Sequence, residues 1–350
     1  MKKKISFQEA WKLSNPIFID VRSPTEYEKG SIPGAENLPL FDNEEREAIG
    51  LMYQKDKRQA RQKGIYFASS KLPELMEKIE ALGERGSPVL YCWRGGMRSS
   101  TLHALLEELG ISTFCLQGGY KAFRRFILDQ FSSYFLDKTL YVLNGLTGVG
   151  KTEVLEILKE MGCFTLDLEK LACHRGSLFG HLGLKEKQNQ KDFDALLWAC
   201  LDEIKEADYL IIEGEGKRIG QVYQPDFLYH AISEGKHILL QAPLEKRVTR
   251  ILTEYSPSSE EEINEVEEII LSLTKYLGKK QAQYFLSLLR ERSYPKLVSE
   301  LCQRYYDQMY SESQPDKNKF HLVLDSSDPK AAAKKIIDYI QANHKKEYAV

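Results

Sequence analysis

The sequence predicts two α/β domains in one chain, each built around a loop that joins an apolar strand to a helix. The chain has 350 residues, and single hydrophobic cores stop growing near roughly 250–300 residues. Short apolar runs alternate with segments of helical periodicity along most of the chain, which is typical of α/β proteins. Two strand–loop–helix segments, around Cys92 and Lys151, place one candidate reactive site in each domain. We expect a first domain over residues 1–136 and a second over 137–350.

The strand and helix candidates follow from these patterns. In the first domain we predict strands at 16–21, 88–92 and 112–117, and helices at 72–82, 99–109 and 120–135. In the second we predict strands at 139–145, 164–168, 208–213, 236–242 and 320–325, and helices at 151–161, 192–206 and 329–342. Residues 244–313 are charged, amphipathic and poor in glycine, which indicates a helical block.

The composition is that of an ordinary soluble globular protein, with 42% hydrophobic and 29% charged residues. No apolar run approaches the roughly 20 residues needed to cross a bilayer, and the basic amino terminus has no apolar core of signal-peptide length. We therefore expect a cytoplasmic protein without a membrane partner. Six cysteines with no CxxC pair argue against a disulfide scaffold or a zinc ribbon. A net charge of −2 means that a nucleic acid must be held by local basic patches.

The segment VLYCWRGGMRSSTLHALLEELG (89–110) is the first candidate site. An apolar strand ends at Cys92, Arg98 follows, and then a helix begins that Ser99 or Ser100 can cap. A thiol at a helix N-terminus beside Arg94 and Arg98 is favoured as thiolate. Residues 92–100 contain no anionic side chain, which leaves this end of the helix electropositive.

Two glycines, Gly95 and Gly96, let this loop curl so that its backbone N–H groups point inward. Such a concavity can hold an anion or a terminal persulfide. The alternative is a small buried cysteine at a strand end, but the ordered combination of strand, thiol, glycines, arginine and helix favours a reactive site.

This loop resembles the active-site loop of rhodaneses. Upstream, FIDVRSPTEYEKGSIPGAENLP (18–39) resembles the rhodanese signature of an Asp-Val-Arg strand end followed by G-x-I-P-G-A-x-N. The resemblance spans about residues 5–120 and implies that Asp20 and Arg22 help to build the domain around the loop, a structural role. The predicted fold class is thus an N-terminal rhodanese-like domain followed by a kinase-like parallel-sheet domain with a helical block.

The second candidate site is GLTGVGKT (145–152), which fits the phosphate-binding pattern G-x-x-x-x-G-K-[ST] between an apolar strand and a helix. Backbone N–H groups at the helix N-terminus are suited to phosphate oxygens. Lys151 is expected to reach a terminal phosphate, and the Thr152 hydroxyl can ligate Mg²⁺. The motif leaves the use of Mg²⁺ as a cofactor open, and we assign no protein metal site. The predicted phosphate-binding residues are Gly145, Gly148, Gly150, Lys151 and Thr152.

Acidic and basic residues follow other strands of this domain. Glu213 and Glu215 end DYLIIEGEG (208–216), where nucleotide-hydrolysing relatives of the motif usually carry Asp, so metal use and hydrolysis stay open. Open α/β sheets bind ligands at the carboxyl ends of strands. The further candidates there, which also fit plain surface roles, are Asp167, Glu169, Arg175 in HRGSLFGHLG (174–183) and Arg218 in KRIGQVYQP (217–225).

Nearly the whole chain resembles the tRNA 2-selenouridine synthase family. The resemblance rests on the order of the two domains, on YCWRGGMRS and GGYKAFR (118–124), and on HRGSLFG and RIG. It implies replacement of the sulfur of wobble 2-thiouridine by selenium from selenophosphate, with an S-geranyl intermediate made from geranyl diphosphate. It also implies that Cys92 is the essential thiol and that residues 145–152 form the family's phosphate loop.

Binding of a tRNA partner requires a basic surface on the protein. Lys121, Arg124 and Arg125 share one face of the helix after the first domain, which makes them the preferred tRNA contacts. A second basic cluster is flanked by aromatic side chains that can stack an unpaired base. Its members are Lys55, Lys57, Arg58, Arg61 and Lys63, flanked by Tyr53, Tyr66 and Phe67. A solvated charged face is the alternative for both sets.

Two other functions stay open at this point. One is a sulfurtransferase fused to a small-molecule kinase, and the other is a redox-sensing or RNA-binding adaptor. Aromatic and aliphatic residues of the helical block can line a prenyl pocket, although they also fit a plain core. These residues are Tyr276, Tyr284, Phe285, Leu288 and Leu289.

Overall fold

A computed structural model describes residues 4–175, 179, 188–255, 257, 259–309 and 320–347. The chain divides into two compact units. The first comprises Met1–Tyr134 with Asn189–Ala199, and the second comprises Phe135–Gln188 with Cys200–Val350. Residues 189–199, which the sequence-based boundary places in the second domain, therefore pack with the first unit.

The first unit is a parallel five-stranded sheet in the order β1-β5-β4-β2-β3. Its strands are β1 (Lys4–Ile5), β2 (Pro16–Asp20), β3 (Glu36–Asn37), β4 (Ser87–Tyr91) and β5 (Phe114–Leu116). Its helices are α1 (Phe7–Trp11), α2 (Pro24–Glu28), α3 (Asn43–Lys55), α4 (Lys57–Gly83), α5 (Met97–Glu108) and α6 (Gly119–Ser133), together with the first part of α9 (Gln190–Glu203).

Two apolar clusters form the core of this unit. One joins Phe7, Phe123 and Trp198, with Trp198 edge-on to Phe7 at 5.5 Å between ring centroids. The other gathers Leu90, Leu102 and neighbouring residues of α4 and β2 around the end of β4. Parallel strands buried on both faces are apolar throughout, which is why the short apolar runs in the sequence locate β2 and β4.

The second unit is a parallel five-stranded sheet in the order β12-β11-β6-β8-β7. Its strands are β6 (Thr139–Asn144), β7 (Thr165–Leu166), β8 (Tyr209–Glu213), β11 (Lys236–Gln241) and β12 (Leu322–Asp325), with a small antiparallel pair of β9 (Arg218–Ile219) and β10 (Val222–Tyr223). The helices around the sheet are α7 (Lys151–Glu160), α8 (Leu168–Leu171), α10 (Asp226–Glu234) and α16 (Pro329–Glu347).

The expected helical block is present over the described part of 244–313. Its helices are α11 (Leu244–Tyr255), α12 (Glu260–Ser272), α13 (Thr274–Leu277), α14 (Lys279–Arg290) and α15 (Tyr294–Leu301), which continues into a π-helical turn at Cys302–Tyr306. Phe285, Leu288 and Leu289 are buried in the core of this block, whereas Tyr276 is exposed. Among the described residues, no helix is long and apolar enough to span a membrane.

Candidate functional site

The thiol loop, residues 92–98, joins the end of β4 to α5. Cys92 is buried and lines an open groove in the first unit. The helix begins at Met97 with Gly96 as its N-cap, so neither Ser99 nor Ser100 caps it as predicted. Instead the buried Ser99 hydroxyl donates to the Cys92 sulfur at 3.3 Å, and Ser100 bonds to the Gly96 carbonyl.

The loop is fixed against the start of α6. Gly95 has φ +62°, and a Cβ on it would lie 2.6 Å from the Leu116 carbonyl oxygen, so only glycine fits there. The Tyr120 and Lys121 N–H groups donate to the Cys92 and Trp93 carbonyls at 2.9 and 3.0 Å. The segment GGYKAFR thus holds the loop in its curled conformation.

The first turn of α5 carries no acidic residue, as the sequence indicates, but Arg98 has an acidic partner from another part of the chain. Its guanidinium binds both carboxylate oxygens of Glu26 at 2.6 and 3.2 Å. Burial alone would raise the pKa of Glu26, but the hydrogen bonds and charge of Arg98, together with Arg46, lower it. Arg98 is therefore charge-compensated by a residue 72 positions away, whereas Arg94 is exposed and forms no ion pair within the described residues.

Asp20 and Arg22 occupy the interior of this unit, as expected for structural residues. They are 0% and 1% exposed and bond through two nitrogen atoms of the guanidinium. Arg22 also donates to the Gly30 carbonyl at 2.7 Å, and its guanidinium lies 4.3 Å from the centroid of the Tyr120 ring. This buried pair ties β2 to the α6 segment that supports the thiol loop.

The phosphate loop, residues 145–152, joins β6 to α7 in the second unit. Gly150 is the N-cap of α7 and has φ +88°. A Cβ added to Gly150 would lie 3.1 Å from the Arg250 guanidinium carbon. Lys151 and Thr152 open α7, whose first four N–H groups have no partner within the helix. The predicted strand–loop–helix geometry is present, and Gly145 and Gly148 also adopt positive φ.

Two arginines that sequence reasoning missed hold this loop. Arg247 donates to the Thr147 carbonyl at 2.8 Å and is paired with Asp307. Arg250 donates to the Val149 carbonyl at 2.9 Å. Both lie on α11, three residues apart in EKRVTR. This spacing places them on one face of an amphipathic helix, and it was the sequence signal that could have identified them as a pair.

Three glutamates, the acidic cluster, meet beside Lys151. The carboxylate oxygens of Glu169, Glu213 and Glu215 lie within 4.8 Å of one another. The Thr152 hydroxyl donates to Glu169 at 3.3 Å. Glu213 is fully buried, and neither of its carboxylate oxygens has a hydrogen-bond partner within the part of the chain that the structure describes.

Burial raises the pKa of Glu169 to about 8, with the charge of Glu215 adding to the rise and Lys151 opposing it. Burial also raises the pKa values of Glu213 and Glu215. Such a cluster needs protons or a cation to balance its charge. Carboxylate oxygens and the Thr152 hydroxyl are ligands of the kind that Mg²⁺ prefers, so these residues fit a divalent cation.

The other predicted residues separate into distinct roles. Asp167 caps α8 through the Lys170 N–H at 2.7 Å, and burial raises its pKa. Arg218 is exposed and donates to the Gly220 carbonyl. Arg175 lies near Glu254 and opposes the rise that burial causes in the pKa of that carboxyl. Most of the 174–183 segment lies outside the described residues.

The predicted tRNA grip on α6 needs correction at Arg124. This side chain forms an ion pair with Asp194, which is 7% exposed, and is itself only 19% exposed. The guanidinium of Arg124, which we expected to contact a tRNA phosphate, is therefore paired with the buried carboxylate of Asp194. Lys121 and Arg125 remain exposed on the helix, as do all five basic residues between 55 and 63.

The fold and these two loops define a rhodanese-type thiol domain combined with a phosphate-loop domain. A family model for the rhodanese-like domain matches residues 6–126, and a model for the tRNA 2-selenouridine synthase AAA domain matches residues 138–347. The chain belongs to the tRNA 2-selenouridine synthase family.

Curated relatives agree along the chain. A tRNA 2-selenouridine synthase from Sulfurovum sp. (strain NBC37-1) is 32% identical, with 89% of this chain and 92% of the relative covered. One from Cupriavidus pinatubonensis is 36% identical, with coverages of 69% and 67%. Among solved structures, a shikimate kinase from Bacteroides thetaiotaomicron is 14% identical over 58% of this chain and 98% of that chain, with a TM-score of 0.26.

Proposed function

We propose that this protein replaces the sulfur of 2-thiouridine at the wobble position of tRNA with selenium. The observation that carries the proposal is the combination of a cradled thiol loop and an intact phosphate loop in a chain that relatives named tRNA 2-selenouridine synthase match along most of its length. The reaction takes place in the cytoplasm, with selenophosphate as selenium donor.

The reaction proceeds through S-geranyl-2-thiouridine made from geranyl diphosphate. The 2-thio sulfur attacks C1 of geranyl diphosphate and diphosphate leaves, which makes the sulfur a better leaving group. The selenium of selenophosphate then adds to C2, geranyl thiolate leaves, and water cleaves the Se–P bond to release phosphate. Cys92 is the reactive thiol, in a loop where Ser99 donates to its sulfur. Arg94, with the N–H groups around Gly95 and Gly96, holds the anionic group that meets the thiol.

The phosphate loop serves the small substrates. Selenophosphate and geranyl diphosphate are both phosphate-bearing anions, and a helix N-terminus with a lysine is suited to such groups. Lys151 contacts the phosphate directly, while Arg247 and Arg250 hold the loop carbonyls. When a divalent cation is bound, Thr152 and the acidic cluster are the residues that hold it, and the cation adds positive charge at the phosphate.

The test is a reconstitution with the purified full-length protein, tRNA carrying 2-thiouridine, selenophosphate and geranyl diphosphate. Mass spectrometry of the tRNA nucleosides follows 2-selenouridine and the S-geranyl species. We expect the parent to form both and Cys92→Ser to form no 2-selenouridine while keeping its fold. Near-parental selenation by Cys92→Ser would refute the assigned role of this thiol. Phosphorylation of a small molecule by ATP without tRNA modification would favour the kinase-fusion alternative.

A further inference from the structure

A wide groove in the first unit connects the thiol loop with the helical hairpin of α3 and α4. It has a volume of about 1090 Å³ and is lined by Cys92, Trp93 and Arg94 of the thiol loop and by α3 and α4 residues such as Tyr53 and Arg61. This exceeds the ~300–1,000 Å³ of typical small-ligand pockets. A groove of this size can hold a small ligand or part of a larger substrate, and its lining residues decide between them.

Exposed apolar side chains of this unit concentrate along the groove. Large apolar side chains that are exposed and line it are Leu51, Tyr53, Ile65, Trp93 and Met97. Exposed apolar side chains gathered in one concave place mark an interaction site more reliably than scattered ones do. Two of the five are aromatic rings, which offer flat faces for stacking.

The Trp93 ring is held in place while remaining accessible. Its centroid lies 5.7 Å from that of Tyr120, and the Arg22 guanidinium is 6.0 Å from the ring. Its backbone carbonyl accepts from the Lys121 N–H, yet the residue is 38% exposed. Trp93 and Cys92 line the same groove, so a base stacked on this ring shares the groove with the thiol.

The charge of the groove favours an anionic occupant. Arg46, Arg61, Arg94 and Arg98 line it, whereas Glu47 is the acidic residue among its lining residues. Glu26 compensates Arg98 and pairs with Arg46, which leaves Arg61 and Arg94 facing solvent. Four further exposed basic residues of the hairpin add to this positive charge: Lys55, Lys57, Arg58 and Lys63.

We infer that this base groove binds unpaired nucleotides of the tRNA anticodon loop, with Trp93 and Tyr53 as stacking platforms and Arg61 and Arg94 as phosphate contacts. Single-stranded RNA is recognised by stacking on aromatic side chains combined with basic groups along the backbone. The inference rests on the proposed function, because it locates the RNA substrate of that reaction.

The structure supplies a matched pair of tyrosines for the test. Tyr53 and Tyr66 are both exposed, at 43% and 69%, and each has a lysine ammonium over its ring, from Lys57 at 5.9 Å and from Lys63 at 5.2 Å. Tyr53 lines the groove and Tyr66 does not. A contact made through general surface charge or aromaticity would involve both, whereas binding in the groove involves Tyr53.

The experiment measures binding of a fluorescent anticodon stem-loop RNA to the full-length protein and its Tyr53→Ala, Tyr66→Ala, Trp93→Ala and Trp93→Phe variants. Loss of one stacked base costs ~1–3 kcal/mol, so Tyr53→Ala and Trp93→Ala should each weaken binding by roughly 5–150-fold. Trp93→Phe should keep most of the affinity, and Tyr66→Ala should match the parent. A blunt-ended RNA duplex of the same length should bind weakly to all of them.

Tryptophan fluorescence gives a readout that does not depend on turnover. Trp11 and Trp198 pack in the aromatic core, so stem-loop binding should quench the emission of Trp93, and the quenching should be lost in Trp93→Phe. Alkylation of Cys92 at the parental rate in Trp93→Phe would show that the thiol loop is intact.

The outcomes separate this inference from the proposed function. Equal losses in Tyr53→Ala and Tyr66→Ala, or parental affinity in both Tyr53→Ala and Trp93→Ala, would overturn the base groove even if the parent modifies tRNA. Equal affinity for stem-loop and duplex would overturn the stacking of unpaired bases. A parent protein that neither binds nor modifies tRNA would refute the proposed function itself.

Discussion

Replacing Ser99 with alanine tests how the fold activates the thiol. The Ser99 hydroxyl is fully buried and donates to the Cys92 sulfur at 3.3 Å. A hydrogen bond to an ionised acceptor is roughly twice as strong as a neutral one. If the bond contributes about 1 kcal/mol when the thiol is neutral and about 2 kcal/mol when it is ionised, its loss disfavours the thiolate by about 1 kcal/mol.

A preference of that size corresponds to about fivefold less thiolate, since ~1.4 kcal/mol is a factor of ten. We therefore expect Cys92 in Ser99→Ala to be alkylated by iodoacetamide about fivefold more slowly than in the parent at pH 6–7. Peptide mass spectrometry distinguishes modification of Cys92 from modification of the other five free cysteines.

Ser100→Ala is the matched control on the next residue of α5. Its hydroxyl bonds to the Gly96 carbonyl and not to the thiol, so the alkylation rate of Cys92 should stay at the parental value. An unchanged rate in Ser99→Ala, or equal losses in both variants, would show that the Ser99 hydrogen bond does not favour the thiolate.

Three further predictions concern the phosphate loop, the buried ion pair and the acidic cluster. Lys151→Ala should weaken calorimetric binding of geranyl diphosphate or selenophosphate by roughly 10–100-fold, since hydrogen bonds to charged groups contribute ~1.5–3 kcal/mol; unchanged affinity for both would remove the loop from the substrate site. Asp20→Ala leaves Arg22 buried without its carboxylate, which should reduce the free energy of unfolding by ~3–5 kcal/mol and lower Tm by at least about 6 °C. The double variant Asp20→Ala/Arg22→Met should recover part of that loss. An unchanged Tm in Asp20→Ala would show that the pair is not structural. Because the folded-state pKa of Glu169, about 8, lies above its ordinary value of 4.5, the folded protein binds more protons than the unfolded chain between these pH values, so stability should fall as pH rises from about 5 to 8. Glu169→Gln should flatten that fall, and Mg²⁺ should raise the parental Tm more at pH 8 than at pH 6; superimposable pH profiles of parent and variant would rule out this titration.

The local pattern of the sequence determined the fold class and the two loops. Cys92 at the end of an apolar strand and Lys151 at the start of a helix could be placed because strand, loop and helix are adjacent in the chain. Buried parallel strands are apolar throughout and glycines mark the sharp turns, and both signals are local.

Only the tertiary structure decided which charges are available. Arg98 meets Glu26 from 72 residues away, and Arg124 meets Asp194 from 70 residues away. Neither pairing follows from periodicity, because the partners lie on different elements. The α6 helix was predicted, but one of its three predicted tRNA contacts, Arg124, is paired with the buried Asp194.

The acidic cluster and the base groove also depend on packing between elements that are distant in the sequence. Glu169 follows β7 and Glu213 ends β8, and they come together because these parallel strands pair side by side. Tyr53 and Tyr66 belong to one aromatic and basic segment of the sequence, yet only Tyr53 lines the groove that contains Cys92. Local sequence specifies secondary structure and short loops, whereas the packing of distant elements determines which side chains share a site, an ion pair or a surface.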